Sequence, residues 1–139
     1  MTDIAVTADH IGLCFPDREN IRSYIAAETI TKGQAVYILA AGTVGVADAN
    51  DAGKQQFRGI ALNGGGAGQA IDVLHAGEVY GFTVSGLDAD VLVYLSDTAG
   101  ALADAGGTMT VAVGRVVCLA DKGATKVVRI STSWFAQWA

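Results

Sequence analysis

The stretch "ALNGGGAGQAIDVLHAGEVYGF" holds Gly64, Gly65, Gly66 and Gly68, and glycines in such a run can cradle a phosphate on their backbone N–H groups. A dinucleotide fingerprint needs a third spaced glycine with a helix N-terminus behind it. Gln69 stands where that glycine belongs, and the residues after it alternate in polarity until Gly77. The P-loop pattern fails too, because Gln55 follows Gly53 and Lys54, and Asp48 occupies the position of the first glycine. These glycines therefore read as a hairpin turn between two strands.

The other chemistry-bearing residues fare no better. "DANDAG" opens like a calcium loop, but Ala52 and Gly59 stand where an oxygen ligand and the bidentate glutamate belong. His10 and His75 have no paired ligand spacing, which leaves a surface or hydrogen-bonded core role rather than zinc. Ser85 and Gly86 lack the rest of a nucleophile elbow. Asp88 and Asp90 suit a solvated strand entrance better than a pair of catalytic acids. Cys14 and Cys118 form no CxxC pair and read as buried free thiols, with a disulfide between them as the alternative. No nucleophile, base and orienter can be nominated together, so the chain reads as no enzyme, with no cofactor and no metal.

The elements that would position these residues are mostly strands. Short apolar runs begin at Val36, Phe57, Ala70, Val79, Val91, Thr108 and Thr125, each bounded by Gly, Asp, Asn or Ser, with a turn expected at Gly77 and Glu78. Residues 17–27, "DRENIRSYIAA", are the exception. Ile21, Tyr24 and Ile25 fall at i, i+3 and i+4, and Asp17 could cap a short helix over residues 20–26. The expected fold is mainly β: a small antiparallel β-barrel or β-tulip with a short helix near the N-terminus. One motif is stated twice, since "AVYILAAGTVGVADA" resembles "LVYLSDTAGALADA", followed by "FRGIAL" and "AVGRVV" respectively. The repeated unit would be a hairpin plus a third strand.

A chain of 139 residues with a net charge of −5 fits one domain, and its scattered cations make nucleic acid and anionic membrane unsuitable partners. The N-terminus lacks a basic region and a long apolar core, so it is not expected to be a signal peptide, and a soluble, cytoplasmically made protein is expected. The chain divides into an N-terminal segment or arm (1–27), a β-barrel domain (28–132) and an aromatic tail (133–139). In the arm, Ile4 and Val6 alternate as an added strand would, followed by Leu13 and Phe15. The segment is either an ordinary first strand or an arm reaching a neighbour. The tail gathers Trp134, Phe135 and Trp138, which must pack under the barrel or against another chain.

The ordered set "TKGQAVYIL", "TVGVADA", "FRGIAL", "GQAIDVLHAGEVYGF", "VLVYLSDTAGAL" and "AVGRVV" resembles the small head-decoration, or capsid cement, proteins of tailed bacteriophages. Gly33, Gly59, Gly77 and Gly114 fall where that pattern turns or starts a strand, whereas Ala89-Asp90 departs from its usual Gly-Asp. The resemblance spans roughly residues 28–130 and leaves the N-terminal stretch and the tail unmatched. It implies a structural virion protein, made in the bacterial host cytoplasm, on the outer capsid surface. There it would bind the major capsid protein and itself as a homotrimer, bridging subunits and stabilising the expanded shell. Ile4, Val6, Leu13, Phe15, Trp134, Phe135 and Trp138 are then the candidate contacts with capsid or neighbouring subunit. The alternatives are a carbohydrate-binding or fibre-associated β module of a phage particle, resting on Trp134 and Trp138, and a biotinyl or lipoyl carrier. Lys32, Lys54 and Lys122 all adjoin glycine and lack the carrier's setting.

Overall fold

A computed structural model of the chain describes residues 2–16, 19–120, 123–132 and 138. Among the described residues, ten strands form one antiparallel sheet that curls into a half-barrel. They are β1 (Gly12–Leu13), β2 (Asn20–Ile25), β3 (Ala35–Ile38), β4 (Val44–Val46), β5 (Phe57–Ala61), β6 (Ala70–Tyr80), β7 (Leu92–Leu95), β8 (Leu102–Ala103), β9 (Ala112–Leu119) and β10 (Thr125–Ser131). Among the described residues, the helical element is one 3-10 turn, Ala8–His10.

The expected helix over residues 20–26 is instead strand β2. Asn20–Ile25 pairs antiparallel with β6, from Ile21 opposite Leu74 to Ile25 opposite Ala70. One or two isolated turns of helix are marginal in water, whereas a ready strand edge satisfies the same backbone groups along a whole ladder. The helical spacing misleads because β2 is an edge strand exposed along most of its length, so its apolar residues need not alternate. Asp17, the expected cap, lies outside the described residues.

The expected turn at Gly77 and Glu78 is also absent, and β6 runs through it. There β6 exchanges neighbours. On one edge β5 pairs with Val73 and Leu74, and β10 takes over from Ala76 to Val79. On the other edge β2 covers Ala70 to Ala76, and β1 covers Val79 and Tyr80. Gly77 has φ +148°, and the carboxylate of Glu19 lies where its Cβ would be.

That crossover is the joint of a duplication wider than the sequence motif. Val36 faces Gly59 across β3 and β5, and Val93 faces Gly114 across β7 and β9. A bulge follows at the same place in both, before Tyr37 and before Tyr94. Ile60 faces Leu74 as Arg115 faces Arg129. The match reaches β2 as well, because Ile21 faces Leu74 as Glu78 faces Arg129. Each unit therefore has five strands: β2 to the first half of β6, then the second half of β6 to β10.

Two cores hold the sheet. The larger gathers Ile4, Ile11, Phe57, Ile60, Leu74, Val79, Leu95, Leu102, Val113, Val116, Val128 and Ile130. The smaller lies inside the first unit around Ile30, Val36, Val44, Ile71 and Val73, with Tyr24 and Ile38 at its margin. Ile71 and Val73 point to one core and Leu74 to the other, as strand alternation requires.

Candidate interaction surface

The five nominated residues that the structure describes are dispersed. Ile4 is buried in the larger core, and its N–H donates to Leu102 O at 2.8 Å. Val6 is 44% exposed and pairs antiparallel with Phe82. Leu13 sits half-buried in β1 opposite Val79. Phe15 lines a hollow with Glu19, Asn20, Gly77 and Arg129. The N-terminal segment thus lies across the second unit, between β8, which it meets through Asp3 and Ala103, and the end of β6. Trp134 and Phe135 lie outside the described residues.

Trp138 is held by its own chain. Its N–H donates to Gln56 Oε1 at 3.1 Å, and its carbonyl accepts from Gln55 Nε2 at 3.0 Å and Gln56 Nε2 at 2.6 Å. The Arg58 guanidinium stands 5.7 Å over its ring. These three partners flank or begin β5, so the tail residue is clamped where that strand starts.

The sequence allows His75 a hydrogen-bonded core role but does not reveal its partners; the residue is 1% exposed and forms a polar joint. Its Nδ1 lies 2.6 Å from Arg58 O, a group that only accepts, so Nδ1 carries the proton and donates. Nε2 is then a lone pair that accepts from Tyr24 O–H at 2.8 Å. Burial pushes the His75 imidazolium down first; the carbonyl contact opposes this, while the Arg22 and Arg58 cations add to it. Thr132 donates to the same Arg58 O at 3.0 Å and, through its N–H, to His75 O at 2.9 Å. One histidine therefore ties β2, β5 and the end of β10 at the crossover.

The remaining candidates are structural. The loop from Leu62 to Gln69 joins antiparallel β5 and β6, where Gly65 and Ile30 exchange backbone hydrogen bonds at 2.8 and 2.9 Å. Asp48 accepts from Asn50 N–H at 2.9 Å and closes a turn. Cys14 and Cys118 form no disulfide, and neither is fully buried; Cys118 is exposed on β9, contrary to the buried setting expected for it. Among the described residues, no group of three or more His, Cys, Asp or Glu is placed to hold a metal, and no helix is long and apolar enough to cross a membrane.

What the surface does offer is strand edge and exposed aliphatics. Ile21 (37% exposed) and Ile25 (48%) lie on β2, and with Val6 they are the large apolar side chains most open to water among the described residues. A groove along this edge is lined by Arg22, Ser23, Tyr24, Ile25, Ile38 and Gly42. Compared with models of known protein families, with curated proteins and with solved structures, the chain finds no match.

Proposed function

We propose that this chain is a structural protein of a bacteriophage particle that binds the outside of the capsid and stabilises its expanded form. The reading is supported by the ordered set of motifs that resembles capsid cement proteins, four of which fall here on every other strand: "AVYI" is β3, "FRGIA" β5, "LVYL" β7 and "AVGRVVCL" β9. A duplicated, turn-rich half-barrel with a net charge of −5 suits an outer surface away from packaged DNA. The partner is the major capsid protein, and three copies gathered at a three-fold position form the trimer on the shell. Stabilisation follows from mass action, because a ligand that binds only the expanded shell shifts the shell toward that state. Many attachment points multiply a modest affinity per subunit.

Co-sedimentation with purified capsids tests this. The chain should pellet with expanded shells and remain in the supernatant with unexpanded ones. Val6→Asp, at a position 44% exposed, should leave stability within about 0.5 kcal/mol of the parent and reduce pelleting if the N-terminal segment meets the shell. Equal recovery with both shell forms, or with neither, overturns the reading.

A further inference from the structure

In the first unit β2 stays on β6 to its end: Arg22 faces Val73, Ser23 faces Asp72, Tyr24 faces Ile71 and Ile25 faces Ala70. The register that matches Ile21 with Glu78 sets the equivalents in the second unit. They are Val79, Tyr80, Gly81 and Phe82 on one side, and Val128, Val127, Lys126 and Thr125 on β10. Of these four rungs the ladder contains the first, Val79 opposite Val128, and ends there. Beyond it a cleft of about 490 Å³ lies between the strands, lined by Thr7, His10, Tyr80, Phe82, Lys126 and Val127 among others.

The N-terminal segment draws the chain away from β10 at Gly81. By alternation Gly81 should face β10, as Val79 does. Instead its carbonyl accepts from Thr7 N–H at 2.8 Å, and its φ is +109°. A Cβ there would lie 2.9 Å from the backbone N of Ile11, which packs against this turn. On β10 the alternation is fixed by Thr132, whose N–H donates to His75 O at 2.9 Å. Ile130, Val128 and Lys126 therefore turn their N–H and C=O groups the same way. Val128 meets Val79, but Lys126 has no Gly81 to meet. Among the described residues, neither its N–H nor its C=O has a partner across the cleft.

We propose that this cleft docks an extended segment of another protein, which pairs antiparallel with β10 at Lys126 and carries an acidic residue there. The occupant is a strand because the first unit holds one in the equivalent place, where β2 sets Tyr24 opposite Ile71. Its charge follows from Lys126. That ammonium donates to Leu87 O at 2.6 Å and Ser85 O at 3.5 Å, and among the described residues no carboxylate forms an ion pair with it. A carboxylate on the directly opposed residue provides the missing counter-charge. The guest residue just before the acidic one then faces Val127, which is buried and apolar, so it is apolar too. The site is independent of the capsid reading.

The test follows amide resonances and hydrogen exchange in the full chain, titrated with the peptide acetyl-Thr-Val-Glu-Val-Thr-amide. In the free chain the Lys126 N–H should exchange much faster than that of Ile71, its paired equivalent. The peptide should shift the amides of Thr125, Lys126 and Val127 and slow exchange at Lys126. Replacing the peptide's glutamate by lysine, or methylating that residue's backbone nitrogen, should each weaken binding about fivefold, the worth of one cross-strand charge pair or one hydrogen bond. Lys126→Glu should reverse the preference between the glutamate and lysine peptides. Because Lys126 also holds Leu87, the parent chain with the methylated peptide carries the test if that variant unfolds. A Lys126 N–H as protected as that of Ile71 in the free chain overturns the proposal. So do shifts absent from Lys126, equal binding of the lysine or the methylated peptide, or a folded Lys126→Glu chain that keeps the parent preference.

Discussion

A histidine sealed at the joint of two units, with Nδ1–H given to a carbonyl and Nε2 accepting from a hydroxyl, takes up a second proton only if that hydroxyl turns from donor to acceptor. His75 therefore titrates below its ordinary value of 6.5, chiefly because it is buried. The unfolded chain binds this proton more readily than the native one. Stability is thus fully present above about pH 6.5 and falls as the pH drops below it, by up to about 1.4 kcal/mol per unit. Glu19 works in the opposite direction. Burial raises its carboxyl above 4.5, so acidification just above that value favours the native state. Urea midpoints between pH 7.5 and 5 should fall for the parent and lie nearly flat for His75→Asn, which keeps an N–H toward Arg58. An unchanged slope in the variant would assign the titration elsewhere. The sequence allowed His75 a hydrogen-bonded core role, but its partner Tyr24 is 51 residues away. Reading Tyr24 as helical hid a contact that only strand register creates.

At the scale of elements, most strands were legible from alternation and glycine punctuation, because those strands bury one face. Strand β2 was not, since its spacing carries no core signal. The duplication was legible as hairpin plus third strand, where "AVYI" and "LVYL" share side chains. Its first strand was invisible, because Asn20–Ile25 and the second half of β6 share register without sharing residues. The paired glycines explain why the register survives. A Cβ on Gly59 would lie 2.5 Å from Leu74 O, and one on Gly114 would run into Arg129 O. Both are backbone atoms of the adjoining strand that cannot swing aside. Gly59→Ala and Gly114→Ala should each lower unfolding free energy by about 1–3 kcal/mol. Gly86→Ala, which meets nothing within 4 Å, should stay within about 0.5 kcal/mol. Urea denaturation of the three variants checks this, and a Gly59→Ala chain as stable as Gly86→Ala would contradict the close approach.

At the scale of the whole molecule, the two units differ in what covers their outer strand, and that difference sets the role of residues 1–16. In the second unit the N-terminal segment supplies Ile4 and Ile11 to the larger core. It also donates from Ile4 N to Leu102 O and from Thr7 N to Gly81 O, each at 2.8 Å, and accepts at Ala5 O from Thr83 N at 2.8 Å. The alternation of Ile4 and Val6 was legible as strand, but which surface the strand would join was not, because the answer lies with Phe82 and Ala103, far along the chain. Deleting residues 1–16 would uncover Val79 and Phe82 and remove two buried isoleucines. At about 2–3 kcal/mol for each such side chain, the loss of roughly 5 kcal/mol approaches the whole stability of a domain this size. The truncated chain should therefore unfold at much lower urea than the parent and bind a hydrophobic dye in water. A truncated chain with the parent midpoint would show that the segment is an appendage resting on a complete barrel. Only in that case could loss of shell binding on truncation be read as loss of a contact rather than loss of the fold.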